Sequence, residues 1–138
     1  MTKQLGVLAM YLAGRRLEEL SFFRKLCTAG HQLGLEVLIF TPDDVTGGDV
    51  PRVRAITYLP TERRWVRKMT GFPSVIYDRC RYHGMENFRK LSRFRKKYTK
   101  LRYMSRPLAN KWNMHQLLAE DANIKAHLPA TIHYKEPK

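Results

Sequence analysis

Apolar and polar positions along the chain alternate between two kinds of segment. LGVLAMYL (residues 5–12) is a near-continuous apolar run, as expected of a strand buried on both faces of a parallel sheet. After the turn AGRR, Leu20, Phe23, Leu26, Cys27 and Leu33 recur at helical spacing, with Glu18 and Glu19 near the start and Gly30 and Gly34 at the loosened end. EVLIF (36–40) then reads as a second buried strand, which completes a βαβ unit. TPDD (41–44) carries the marks of a helix start: Thr41 as cap, Pro42 in the first turn and Asp44 reaching back. VRAITYLP (53–60) and FPSVIYDR (72–79) are a third and a fourth strand, separated by a basic loop or short helix that holds Trp65.

The clearest helix covers residues 84–101. At 100° per residue, Phe88, Leu91, Phe94, Tyr98 and Leu101 fall within one arc of about 140°. Arg89, Lys90, Arg93, Lys96, Lys97 and Lys100 fall on the opposite arc, while Arg95 and Arg102 sit at the edge of the apolar face. YMSRP (103–107) breaks the helix. Asn110 caps a last helix that runs to about Glu120, and HLPATIHY (127–134) reads as an extended exit. A chain of 138 residues with 43% hydrophobic content is expected to form one α/β domain over residues 1–126, followed by an exit strand or linker over 127–138. No apolar run approaches the roughly 18 residues of a membrane span, so no membrane partner is expected.

Charge changes the picture in one region. The formal charge is +14, and residues 63–106 hold 15 Lys/Arg against Asp78 and Glu86 alone, a local balance of +13. Six cations on one helical arc without compensating acids repel one another, so an anionic partner is expected, met by Arg89, Arg93, Lys96, Lys97 and Lys100.

In an open parallel sheet, ligands gather beyond the carboxyl ends of the strands. Tyr11–Arg16, Thr41–Asp44 and Asp78–Arg81 are the loops that qualify. Asp78 and Arg79, with Arg81 and Arg15, could form a substrate clamp for a carboxylate or phosphate; the plainer reading is an internal ion pair that fixes the loop. Asp43 and Asp44 are explained more simply by a helix cap than by a metal. Cys80 and His83 have C-x-x-H spacing, but no second pair completes a zinc site, so no metal is expected. Arg79 and Arg81 could lower the pKa of Cys80, yet no general base lies beside it, and an inert or merely accessible thiol is preferred. Gly14, Gly47 and Gly48 form neither a dinucleotide fingerprint nor a P-loop. Two cysteines without a disulfide framework point to a reduced, cytoplasmic setting.

LGVLAMYL, LEELSFFRKL, GLEVLIFTPDDV, WVRK, FPSVIYDRCRY, RPLANKWNMHQLL and HLPATIHY occur in this order and span nearly the whole chain. The series resembles the N-terminal region of the YheC/YheD-type proteins, the endospore coat-associated ATP-grasp proteins of spore-forming bacteria. The resemblance implies a small three-layer pre-ATP-grasp (Rossmann-like) domain with a mostly parallel four-stranded sheet. It also implies a downstream ATP-grasp domain and spore coat components as partners, and a setting in the cytoplasm or at the coat. Mg-ATP is implied for the full-length family, with no cofactor bound by this chain alone. In such enzymes an Asn-Lys pair often opens the last helix before the nucleotide-binding domain, so Lys111, in Asn110-Lys111, is the implied nucleotide-binding residue. The catalytic groups and Mg ligands would belong to the following domain. This chain is therefore expected to be an N-terminal piece of a longer protein, not catalytic alone. The alternative reading is a basic module for nucleic acid or an anionic coat or wall polymer.

Overall fold

The computed structural model describes residues 3–12, 16–81, 84–105 and 109–135. The chain divides into two compact units, Met1–Ser105 and Arg106–Lys138.

The first unit is built on β1 (Lys3–Leu8), whose residues are flanked on both sides by parallel partners. β4 (Leu35–Phe40) pairs along its whole length, and β8 (Val75–Asp78) pairs with Leu5–Leu8. Parallel strands need cover on both faces. Here Val7, Val37, Ile39 and Tyr58 pack with Phe23 and Cys27 of α1 (Leu20–Gln32). Leu8, Leu38, Phe40 and Ile76 pack with Leu91 and Phe94 of α2 (Met85–Lys97). Neighbouring residues thus enter two different cores, which is why these strands read as unbroken apolar runs.

The sheet is mixed and has six strands, which corrects the expected four-stranded, mostly parallel one. β6 (Arg52–Leu59) runs antiparallel to β4, to the short β5 (Val45–Thr46) and, along its length, to β7 (Arg64–Thr70). The segment between β4 and β6 holds only a 3-10 turn, Pro42–Asp44, and β5, too little for a crossover helix that would return a parallel strand. β7 occupies the segment expected to be a loop or short helix. It pairs on one side only, and Arg64, Arg67 and Lys68 break the alternation that would reveal it; charge is a common protection for an edge strand. A short antiparallel pair, β2 (Tyr11–Leu12) with β3 (Arg16–Leu17), stands beside the segment that the sequence suggests is a plain turn. On the other side of the sheet, Ile76 N–H donates to Arg102 O and Met104 N–H donates to Ile76 O, both at 2.8 Å, so the returning chain covers the outer edge of β8.

α2 ends at Lys97, short of the expected 101, and Phe88 is 41% exposed, outside the apolar face that the helical arc suggests. Gly30 lies inside the last turn of α1, where a Cβ would stand 2.6 Å from Val37 Cγ2 and 3.0 Å from Leu35 O. Its absence lets β4 start close under the helix. Gly34 then takes φ +70, the left-handed position that ends the helix.

In the second unit, Asn110 Oδ1 accepts from Asn113 N at 2.8 Å and caps α3 (Lys111–Ala119). Asp121 Oδ1 caps the short α4 (Ala122–Lys125) through Asn123 N and Ile124 N. Residues 129–135 have no regular secondary structure, so the expected exit strand does not form among the described residues. The rings of His115 and His133 both stack on Trp112, with centroids at 5.7 and 5.0 Å.

Alanine is the better helix former, yet Gly30→Ala should lower stability by about 1–3 kcal/mol in urea unfolding, because the added methyl overpacks against β4. Gly47→Ala, with open space around it, should be near neutral. Equal effects at the two glycines would contradict this packing.

Candidate functional site

Three strands pointing the same way place their carboxyl ends on one edge of the sheet, and the loops after β1, β4 and β8 collect there. Glu19 just before α1, Asp44 after β4 and Asp78 at the end of β8 stand at this edge, and each is held by partners from this same unit.

After β4, Thr41 and Asp44 form a reciprocal capping box around the 3-10 turn: Asp44 Oδ2 accepts from Thr41 N at 2.9 Å and from Thr41 Oγ1 at 3.0 Å. The Tyr11 hydroxyl donates to the same carboxylate at 3.0–3.1 Å, and Arg67 Nη1 lies 3.9 Å away. Burial pushes the Tyr11 hydroxyl above its usual pKa.

After β8, Arg79 grips Glu19 with two parallel bonds, Nε to Oε2 at 3.0 Å and Nη2 to Oε1 at 3.1 Å, and its guanidinium lies 5.0 Å from the Phe22 ring centre. Arg81 Nη1 is 3.6 Å from Glu19 Oε1. The hydrogen bonds from Arg79 hold the Glu19 carboxyl below the usual glutamate value. Ala9, Met10, Phe23, Glu19 and Arg79 enclose a cavity of about 10 Å³ there, room for roughly one water. Asp78 faces elsewhere: its Oδ2 accepts from Arg95 of α2, Nε at 3.1 Å, and its Oδ1 accepts from Cys80 N at 3.1 Å. The neighbouring arginines therefore do not activate Cys80. Burial, and then the Asp78 charge, push its thiol up to about 12. Burial likewise raises the Cys27 thiol and the Tyr103 hydroxyl.

Clefts of useful size lie away from these pairs. One of about 440 Å³ runs between the end of α1 and the β4–β6 pair, lined among others by Cys27, His31, Glu36, Tyr58 and Lys68. Another, of about 210 Å³, lies between the 3-10 turn and α2, lined by Pro42, Asp43, Val45, Lys90, Arg93, Phe94, Lys97 and Tyr98. Lys90 Nζ meets Asp43 Oδ2 at 3.2 Å, and Lys97 Nζ lies 5.4 Å from the Tyr98 ring centre.

Of the residues singled out in the sequence, Asp78 and Arg79 form ion pairs, but with Arg95 and Glu19 and not with each other. Arg81 joins Arg79 at Glu19, and Arg15 lies outside the described residues. Arg93 and Lys97 enter the smaller cleft; Arg89, Lys96 and Lys100 are exposed and form no ion pair among the described residues. Lys111 opens α3 in the second unit, with its side chain exposed. Among the described residues no group of three or more His, Cys, Asp or Glu gathers as a metal site, and no helix is long and apolar enough to cross a membrane. Glu19 as the partner of Arg79, and Lys90 with Asp43 in the cleft, escaped sequence reasoning. The one available signal was the placement of Arg95 at the edge of the apolar arc of α2, where it reaches Asp78.

Two predictions follow from these pairs. At pH 8 the native Cys80 thiol should react with a disulfide reagent on the order of 10³ times more slowly than in the unfolded chain, because a pKa of about 12 leaves little thiolate; fast native labelling would contradict its burial. The lowered Glu19 pKa means the Arg79 pair stabilises the fold above about pH 4.5 and is lost as pH falls through the lower folded value. Glu19→Gln should accordingly be less stable than the parent at pH 7, with the difference in urea midpoint shrinking below pH 4.5; a pH-independent difference would remove the ion pair as its cause.

No family model matches the chain. It is 28% identical over 125 residues to the endospore coat-associated protein YheC of Bacillus subtilis (strain 168), covering 88% of this chain and 34% of that protein. It is also 28% identical over 111 residues to the endospore coat-associated protein YheD of the same organism, covering 78% of this chain and 24% of YheD. The chain thus spans about a third or less of the curated relatives it matches. Two relatives with the same descriptive name align along most of its length, and the chain is similar to both of these endospore coat-associated proteins.

Proposed function

We propose that this chain is the N-terminal, substrate-side domain of an endospore coat-associated, ATP-grasp ligase-like protein, and that it does not catalyse a reaction alone. The observation that carries this reading is the state of the carboxyl edge. Asp44, Asp78 and Glu19 each hold a hydroxyl or a cation of the same unit, so among the described residues these three acids of the edge are committed, and the edge offers shape and positive charge. The relatives are roughly three to four times the aligned length, which suits a role as one domain of a larger activity. A following ATP-grasp domain would bring Mg-ATP and the chemistry of carboxylate activation.

Lys111 is the residue of this chain that would meet the nucleotide. It stands in the first turn of α3 behind the Asn110 cap, where the positive end of the helix dipole mildly disfavours a cation that has no anion nearby. A lysine there supplies a point charge for phosphate. Coat association comes from the names of the relatives and fits a soluble domain with a strongly basic face.

A second reading rests on the cations of α2. Arg89, Lys96 and Lys100 have no ion pair among the described residues, which favours a surface for an anionic coat or wall polymer or for nucleic acid. Binding of that kind would weaken steeply with salt.

In calorimetric titration of the complete gene product with Mg-ATP, Lys111→Ala should weaken affinity by about 10-fold or more, the loss of a charge-assisted contact to phosphate. Unchanged affinity would remove Lys111 from the site.

A further inference from the structure

We propose that the cleft between the 3-10 turn and α2 is a binding site for a small dianionic ligand, a phosphomonoester with an apolar or aromatic body. Lys90, Arg93 and Lys97 recur at i, i+3 and i+7, so they line up on one side of the helix. Phe94 and Tyr98, at i+4 and i+8, form the floor with Pro42 and Val45. The cleft therefore presents an apolar base under a row of cations, the composition of sites that orient a ligand by a few polar groups on an apolar surface.

Charge decides the class of ligand. The lining holds three cations and one carboxylate, Asp43, which leaves two net positive charges. Asp43 engages Lys90 at 3.2 Å; among the described residues, Arg93 forms no ion pair, and Lys97 has only the Tyr98 ring at 5.4 Å. Two uncommitted cations match a phosphomonoester, which carries close to two negative charges at neutral pH. Arg93 can hold two of its oxygens with a planar fork, and Lys97 adds a point charge. A volume of about 210 Å³ suits a small ester and is too small for a drug-sized ligand.

Position supports the same assignment. The 3-10 turn directly follows β4, so the cleft opens at the carboxyl end of a parallel strand, where ligands collect in such sheets. Unlike the neighbouring Glu19–Arg79 and Asp78–Arg95 pairs, this part of the edge keeps cations to spare. Within the substrate-side reading above, the cleft names a substrate class. The binding itself is tested without nucleotide, so its failure and that of the Lys111 assignment are separate outcomes.

The test is a titration of the chain with phenyl phosphate at about 150 mM salt, followed by calorimetry and by backbone amide NMR shifts. The proposal expects saturable binding, tighter than for inorganic phosphate or phenol, with shifts centred on Asp43–Val45 and on Lys90–Tyr98. Arg93→Gln with Lys97→Gln should weaken it 10-fold or more, whereas Lys25→Gln with Arg54→Gln, the same charge removed elsewhere, should change it less than 2-fold. Asp43→Asn should tighten binding, because it removes the one negative charge and frees Lys90. Three results would overturn the proposal: no saturation at millimolar ligand, shifts spread over the exposed cations of α2 without the 3-10 turn, or equal losses in the two double variants. Binding of a duplex DNA or polyphosphate probe with no response to phenyl phosphate would also overturn it, in favour of a polymer surface.

Discussion

Burial of three parallel strands on both faces is the constraint from which the rest follows. β1 lies between β4 and β8, and consecutive residues such as Val7 and Leu8 belong to different cores. Neither core can close without a helix, so α1 is required on one face and α2 on the other. Burial of side chains such as Phe23, Leu91 and Phe94 contributes roughly 1.5–3 kcal/mol each by transfer, before the entropy of ordering them is set against it. Once the helices are fixed, three strand ends share one edge, and the basic face of α2 is carried to the turn that follows β4.

That edge is electrostatically divided. Near β1 and β8, acids and arginines are matched, and the cavity left between them holds no more than about one water. Near β4, Asp44 is consumed by its own capping box and by Tyr11, and Asp43 balances only one of the cations that α2 brings. The same packing thus yields a rigid, self-neutralised half and a half with excess positive charge. A charged surface of this kind attracts and orients anions, while among the described residues of this edge Glu19, Asp44 and Asp78 are paired and burial pushes the Cys80 thiol up. This division is the physical basis for the proposal that the domain binds an anion.

Much of the fold was legible because its signals are local. The apolar runs that become β1 and β4, the helical spacing of Phe23 and Cys27, the Thr41–Asp44 box and the Asn110 cap all depend on residues within a few positions of one another. Direction and partnership were less legible. β6 reads as a strand in sequence, but its antiparallel course is set by the short connection from β4, and β7 is disguised by the cations that suit an exposed edge. The site depends on the longest separations: Glu19 meets Arg79 across sixty positions, and Asp43 meets Lys90 across forty-seven. No periodicity encodes such pairs. The lowering of the Cys80 pKa expected from Arg79 and Arg81 does not arise, because both reach Glu19 instead, and burial and then Asp78 raise it.

The central claim is that Glu19, Asp44 and Asp78, the described acids at the ends of the parallel strands, are committed within the fold. Carbodiimide labelling of carboxylates in the native chain, read by mass spectrometry, tests it most directly. Glu19, Asp44 and Asp78, whose side chains are 18%, 11% and 16% exposed, should label far more slowly than the open Asp49 and Glu86, and at equal rates only after unfolding. Native labelling of all five at similar rates would mean that the edge carries free carboxylates, and would contradict the account.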